Sequence, residues 1–347
     1  MPIINQIVKG GGTTPTGTIN ILQNGIVDVT DFASADVQVP TTAPASYRAF
    51  QKNASGQLVN STSAPWVPLP AGTTDISDYC LYSAYRFTPA NVLSGAIDLS
   101  SLTTISGTGA CNTMFQNCTG ITSVDLSSLT TISGINGMSS CFSGCSGLTS
   151  IDLSGLTAVS GSAACREMFQ NCPGITSINL SSLTTLSGAN ACNTMFYGCT
   201  GITSINLSSL TTISGTAACS TMFAGCAGIT SIDLSGLTAA SGSSACFYMF
   251  QNCTGITSVD LSGLTTLSGN TACSYMFANC TSLATVYIGG TTAIDFGART
   301  NQFDNMFQGC TQNIDVYAPA ANQTQIEAFS GYPNFGATGT VTWHWRS

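Results

Sequence analysis

A repeat of 27 residues constrains this chain more than any other feature. A Phe that follows Met or Cys recurs at Phe115, Phe142, Phe169, Phe196, Phe223, Phe250 and Phe277. A Cys follows three residues later, at Cys118, Cys145, Cys172, Cys199, Cys226, Cys253 and Cys280. Both columns step by 27 without an insertion. An unbroken period of that size means stacked supersecondary units, each touching only its neighbours, rather than one closed core.

Inside a unit, Cys111, Met114, Phe115 and Cys118 sit at i, i+3, i+4 and i+7. That spacing predicts one face of a two-turn helix. Gly120 lies just past its end, with Gly147, Gly174, Gly201, Gly228 and Gly255 in the same place, where a left-handed residue closes a helix at little cost. The stretch ITSVDLSSL then sets Ile121, Val124, Leu126 and Leu129 inward on a strand, and TTISG adds a second short extended piece. Each unit reads as strand, turn, short strand and short helix, with strands of successive units paired in parallel. A unit this small cannot bury its apolar face alone, so stability comes from stacking.

The Cys-Met-Phe-Cys pattern followed by ITSxDL resembles the BspA-type leucine-rich repeat. The resemblance implies an α/β solenoid of parallel strands plus one short helix per repeat. Two departures stand out: Leu-Ser where many family members have Pro after the strand, and an enlarged SGxxAC connection. Asp98, Leu99, Leu102 and Ile105 are in register with later units, behind an atypical first unit. At the far end Phe307 and Cys310 come 30 residues after Phe277 and Cys280, which places three extra residues around TTAIDFGARTNQ. The segment IDVYAPAANQTQIEAFSGYPNFG resembles the helical cap of such arrays. Val341, Trp343 and Trp345 alternate as in a last strand whose aromatics cover the open end, or alternatively stack on a sugar.

The expected organisation is a flexible leader at 1–17, a small β attachment module at 18–45, a linker with a hairpin at 46–75, the solenoid at 76–310 and a cap at 311–347. In the module, Ile19 and Ile21 alternate with polar residues, Asn24-Gly25 signals a hairpin and Val27-Asp28-Val29 resumes the strand. Val37 and Val39 suggest a third strand, and SYRAFQKNASGQLV a hairpin around Ala54-Ser55-Gly56. The form PTGTIN-x3-NG-x2-DVT-x2-ASADVQVP resembles a short element near the front of bacteriophage and prophage tail proteins of gut bacteria.

Composition removes several function classes. Charged residues make up 6% of the chain, with seven Lys+Arg against fifteen Asp+Glu and a formal net charge of −8. That balance argues against nucleic acid and against a polybasic membrane anchor. No apolar run is long enough for a membrane span, and the start MPIINQIVKGGGTTPTG does not read as a secretory signal. The expectation is a soluble chain that does not use the general secretory route.

Sixteen cysteines and one histidine, His344, invite a metal or disulfide reading. The columns speak against both. Met138 replaces Cys in the first column, an exchange that a buried apolar slot tolerates. Metal ligands must converge on one point, usually with His. We therefore expect buried reduced thiols, no metal and no cofactor. One His with no recurrent Cys–His pairing also gives no nucleophile–base set, so no catalytic residues are expected.

Candidate ligand-binding residues lie between the inward positions of the strand. Ser123, Asp125, Ser150, Asp152, Ser177, Asn179, Ser204, Asn206, Ser231, Asp233, Ser258 and Asp260 form a Ser column beside an Asp/Asn column, with Asp98 at the front. Either they keep a face polar for solubility, with Asn relieving like-charge repulsion, or they form a binding strip for a glycan or protein loop. A bridging Ca²⁺ is disfavoured, because oxygens in a straight column do not encircle an ion.

These features point to a non-enzymatic bacteriophage virion protein, a tail or head fibre or adhesin-like receptor-binding component. The N-terminal module would contact other virion proteins, and the repeat face a host cell-surface glycan or protein. The alternatives are a BspA-like adhesin on a bacterial cell surface and a structural capsid decoration protein. No heptad pattern is present, so a homo-oligomer is left open.

Overall fold

The computed structural model describes residues 94–299 and 301–347, together with four short strands at 20–21, 26–28, 50–52 and 58–60. Those four are β1 (Asn20–Ile21), β2 (Ile26–Asp28), β3 (Phe50–Lys52) and β4 (Leu58–Asn60). They pair antiparallel in the order β1-β2-β4-β3, and the expected turns at Asn24-Gly25 and Ala54-Ser55-Gly56 lie outside the described residues. Val37 and Val39 lie outside the described residues.

From residue 94 onward the chain is a parallel β-solenoid. One series of strands comprises β5 (Gly95–Asp98), β7 (Ile121–Asp125), β9 (Ser150–Asp152), β11 (Ser177–Asn179) and β13 (Ser204–Asn206). It continues as β15 (Ser231–Asp233), β17 (Ser258–Leu261), β18 (Thr285–Ile288), β19 (Ile314–Pro319) and β20 (Val341–Arg346). The second, two-residue series is β6 (Thr104–Ile105), β8 (Thr131–Ile132), β10 (Ala158–Val159), β12 (Thr185–Leu186), β14 (Thr212–Ile213) and β16 (Ala239–Ala240). Partners are the equivalent residues of the next coil, as in Ser177↔Ser204 and Leu186↔Ile213. The first series divides into two sheets, and the break falls between β13 and β15. Ile205, next to the break, is only partly buried.

The predicted helix is absent. Cys111–Cys118 and its equivalents are a ribbon of overlapping turns, and only Gln323–Glu327 is α-helical among the described residues. Backbone N–H groups alternate between two kinds of bond. Asn112, Met114, Gln116 and Cys118 donate three residues back, to Gly109, Cys111, Thr113 and Phe115. Cys111, Thr113, Phe115 and Asn117 donate to Gly137, Ser139, Cys141 and Ser143 of the next coil. Every fourth residue is left-handed, as at Gly109 (φ 59°), Thr113 (φ 54°) and Asn117 (φ 61°). Burial at i, i+3, i+4 and i+7 fits a period of four as well as one of 3.6 over so short a stretch. The apolar pattern was therefore met by a different backbone. Its advantage is that half the ribbon's N–H groups tie adjacent coils together, which a helix would not do.

Bulky residues in the left-handed region cost roughly 1–2 kcal/mol each. The third such position per coil holds only Asn or Gly: Asn117, Gly144, Asn171, Gly198, Gly225, Asn252, Asn279 and Gly309. At the second position Thr113, Thr194 and Thr221 each turn the hydroxyl onto the preceding carbonyl oxygen at 2.7 Å. The expected left-handed closure at Gly147, Gly174, Gly201, Gly228 and Gly255 is not found either. A Cβ at these glycines would run into backbone carbonyl oxygens of the previous coil, so close approach is what selects Gly there.

The core is a set of ladders. Rings from Phe115 to Phe277 stack in line with centroids 5.1–5.8 Å apart, and Phe307 follows at 6.3 Å. Each stacked pair contributes about 0.5–1.5 kcal/mol beyond burial. Ile121, Val124, Leu126 and Leu129 are buried as expected, and so are the 15 free cysteines among the described residues. At the C-terminal end, Trp343 packs on Tyr332 and Phe335, and Trp345 stacks on Trp343. Both Trp residues lie on the last strand, as expected, and both stay partly exposed.

Candidate functional site

Strand alternation turns Val124 and Leu126 inward and leaves Ser123 and Asp125 facing out. In-register pairing stacks Ser123, Ser150, Ser177 and Ser204 into one column and Asp125, Asp152, Asn179 and Asn206 into its neighbour. Asp98 heads the second column opposite Asp125. Beyond the break, Ser231 and Asp233 pair with Ser258 and Asp260. Each of the twelve predicted residues thus lies in its expected column, in two blocks. Over the first block lies a depression of about 610 Å³, lined in part by Asp98, Ser123, Asp125, Ser150, Asp152 and Asn179.

The hydrogen bonds explain why Asp and Asn interchange. Each side chain curls back so that Oδ1 accepts the N–H of the Ser two residues on. Ser127 donates to Asp125 and Ser154 to Asp152, both at 2.9 Å. Ser181 donates to Asn179 and Ser208 to Asn206, both at 3.1 Å. Ser235 and Ser262 do the same to Asp233 and Asp260, and Ser100 to Asp98. Both residue types carry that acceptor, and the turn it closes ends the strand. Bonds from the Ser hydroxyl and then the Ser N–H hold the carboxyls of Asp98, Asp152 and Asp233 below the ordinary Asp range.

Neither solubility nor ligand contact is needed to account for the column's composition. What is left for recognition is the second carboxylate oxygen and the Ser hydroxyls. The side chains of Ser123, Ser150, Ser177, Ser204, Ser231 and Ser258 are exposed or half-exposed. No group of three His, Cys, Asp or Glu residues that could hold a metal occurs among the described residues.

Sequence reasoning missed how the columns end. Asp260 pairs with Tyr287, Tyr287 with Tyr317, and Tyr317 with His344. The rings stack at 5.0 and 4.6 Å, and His344 Nε2 lies 2.8 Å from Asp315 Oδ1 in the neighbouring column. The signal was present in VYIG and DVYAP, which repeat the alternation of SVDL. The 30-residue step between Cys280 and Cys310 hid the register.

Burial raises Cys199 to about 12 and Cys310 to about 11, because a thiolate has no water or cation to stabilise it there.

This arrangement defines a leucine-rich repeat solenoid with a regular strand face. A family profile described as "BspA type Leucine rich repeat region (6 copies)" matches residues 54–195, 110–232, 166–302 and 220–334. The chain belongs to the BspA-type leucine-rich repeat family. Among solved structures, it is similar to a leucine-rich repeat protein from Bacteroides ovatus, at 15% identity and a TM-score of 0.34, over 82% of this chain and 92% of that one. A leucine-rich repeat protein of T. pallidum matches at 16% identity and a TM-score of 0.29, over 71% and 84%. The Drosophila Toll–Spatzle complex matches at 17% and 0.35, over 78% of this chain and 35% of that one. Comparison with curated protein sequences returns no match.

Proposed function

We propose that this chain is a non-catalytic recognition protein whose strand face docks a glycan or protein on a host cell surface. The observation that carries the reading is the row of outward-facing Ser side chains beside the Asp/Asn column, repeated in register from coil to coil. Such a row offers many weak, equivalent contacts to an extended partner, which suits a repetitive surface better than a small molecule. The raised thiols and the lone His support the non-catalytic part.

We further propose that the chain is a bacteriophage virion component, attached through its N-terminal segment to other virion proteins. Support comes from the tail-protein-like pattern at 15–40. A bacterial surface adhesin is the second reading, favoured by membership of the BspA-type family. Mass spectrometry of purified phage particles, and of washed cell envelopes from the same culture, separates the two. Peptides of this chain in particles support the first. Peptides confined to envelopes refute it.

A further inference from the structure

The strand face changes character towards its C-terminal end. Along most of the face the second column is Asp or Asn, because that side chain accepts the N–H two residues on and closes the turn. At Tyr287 and Tyr317 that task is gone. Two residues on, Gly289 N–H donates instead to the Leu261 carbonyl at 2.9 Å, and Pro319 has no N–H to donate. The turn therefore does not dictate the residue type at these two positions, and both hold Tyr.

Neither Tyr lies on an edge strand: β18 sits between β17 and β19, and β19 between β18 and β20. Val286, Ile288, Val316 and Ala318 are buried, so alternation turns the two phenols outward, where they stay half-buried. The rings stack at 5.0 Å, with His344 at 4.6 Å from Tyr317 and the Arg346 guanidinium 5.6 Å from the Tyr287 ring centre. Rings held in this way lose little freedom on meeting a ligand. A Tyr side chain is also longer than Ser, Thr or Asp, so the phenol oxygens reach further from the sheet than Ser258, Asp260 and Thr285 beside them.

Two observations choose between a glycan and a protein as the occupant. The exposed large hydrophobic residues among the described residues are Ile135 and Tyr197, and neither is on a strand of this face. From β7 to β19 the outward positions carry hydroxyl, carboxylate or amide groups, whereas the buried centre of a protein–protein interface is mostly apolar. Asp also recurs on the face from Asp98 to Asp315, against His344 and Arg346 alone among its described strands. That excess of negative charge repels anionic sugars.

We infer that Tyr287 and Tyr317 anchor an uncharged glycan, whose hydroxyls exchange hydrogen bonds with the two phenols and with Asp260. The inference rests on the strand-face reading proposed above and narrows it to one class of ligand and one end of the face. Tyr is among the residues that most often dominate binding energy, and a phenol offers both a donor and an acceptor to a sugar hydroxyl.

The test applies the labelled full chain to a printed array of neutral and sialylated oligosaccharides and, in parallel, to host cells. The wild-type chain should bind neutral oligosaccharides and not sialylated ones. Tyr287→Phe with Tyr317→Phe keeps the stacked rings and removes both hydroxyls. This pair should bind neutral glycans roughly tenfold more weakly, as for two lost hydrogen bonds, at an unchanged melting temperature. Unchanged glycan binding by the Phe pair overturns the inference, as does a loss that tracks a fallen melting temperature, which would make the rings structural only. Preference for sialylated glycans also overturns it. Binding to host cells but to no neutral glycan overturns it while leaving the strand-face reading in place, with a protein as partner. Cell binding that survives Ser177→Arg with Ser204→Arg as well as the Phe pair, or no cell binding by the wild-type chain, removes that reading too.

Discussion

The thiol of Cys172 donates to the backbone carbonyl oxygen of Phe142 at 3.1 Å, across one coil boundary. The same bond joins Cys145 to Phe115, Cys199 to Phe169, Cys226 to Phe196, Cys253 to Phe223 and Cys280 to Phe250. It distinguishes two columns that look alike in the sequence. This column is Cys in every coil, because it needs a small apolar side chain with a donor. The column that begins at Cys111 accepts Met138 and Phe303, because its thiols meet one another, as Cys165 meets Cys192 and Cys273 meets Cys246, and among the described residues no backbone carbonyl accepts from these four.

Cys199→Ala should therefore lower stability by roughly 1–2 kcal/mol, through a small cavity and a lost hydrogen bond. Cys192→Met, in the permissive column, should cost less than about 1.5 kcal/mol. Chemical denaturation under reducing conditions checks the order of the two.

Gly188 faces the carbonyl oxygen of Gly161 so closely that a Cβ would overlap it. The obstacle is backbone on both sides and cannot swing aside. Gly188→Ala should cost about 1–3 kcal/mol by overpacking, although Ala is otherwise the better former of ordered structure. Thermal unfolding of this variant against Ser187→Ala, an exposed neighbour, gives the comparison.

Asn171 is left-handed at φ 56°, where coils before and after have Gly144 and Gly198. Asn171→Gly should be nearly neutral, whereas Asn171→Val should lose roughly 1–2 kcal/mol because a β-branched side chain is disfavoured there. A helical ribbon would reverse the order, since Gly is the poorer residue inside a helix. Denaturation midpoints of the two variants decide it.

The strands were legible because a period of two has no competitor at that length: Val124 and Leu126 go in, Ser123 and Asp125 out. The ribbon was not, because Cys111, Met114, Phe115 and Cys118 satisfy periods of 3.6 and four alike. The discriminating signal was the Asn/Gly column one residue before each Cys, at Asn117, Gly144, Asn171 and Gly198. A helix has no use for left-handed residues inside it, whereas the ribbon requires one every fourth position. On the candidate face, the columns could be aligned from the sequence, but their job of closing turns depends on side-chain direction. The Tyr287–Tyr317–His344 end was obscured by the insertion before it.

The carboxyls of Asp98, Asp152 and Asp233 titrate lower in the folded chain than in the unfolded one. An unfolded Asp titrates near about 3.9. A depressed folded value means a contribution that is fully present above that pH and lost as pH falls through the folded value. Melting temperature should therefore drop below about pH 4. Asp152→Asn should keep the turn and flatten part of that dependence, while Asp152→Ala should lose stability at neutral pH as well.

The most direct measurement for the central claim compares two pairs of substitutions, one on the strand face and one beside the other strand series. Ser177→Arg with Ser204→Arg alters the exposed Ser column of the strand face. Ser187→Arg with Ser214→Arg alters exposed positions just beyond the short strands. Binding to host cells is read by flow cytometry with labelled protein. The account predicts at least about tenfold weaker binding for the first pair, equivalent to 1.4 kcal/mol, and unchanged binding for the second. Equal binding by both pairs, or loss confined to the second, would contradict it.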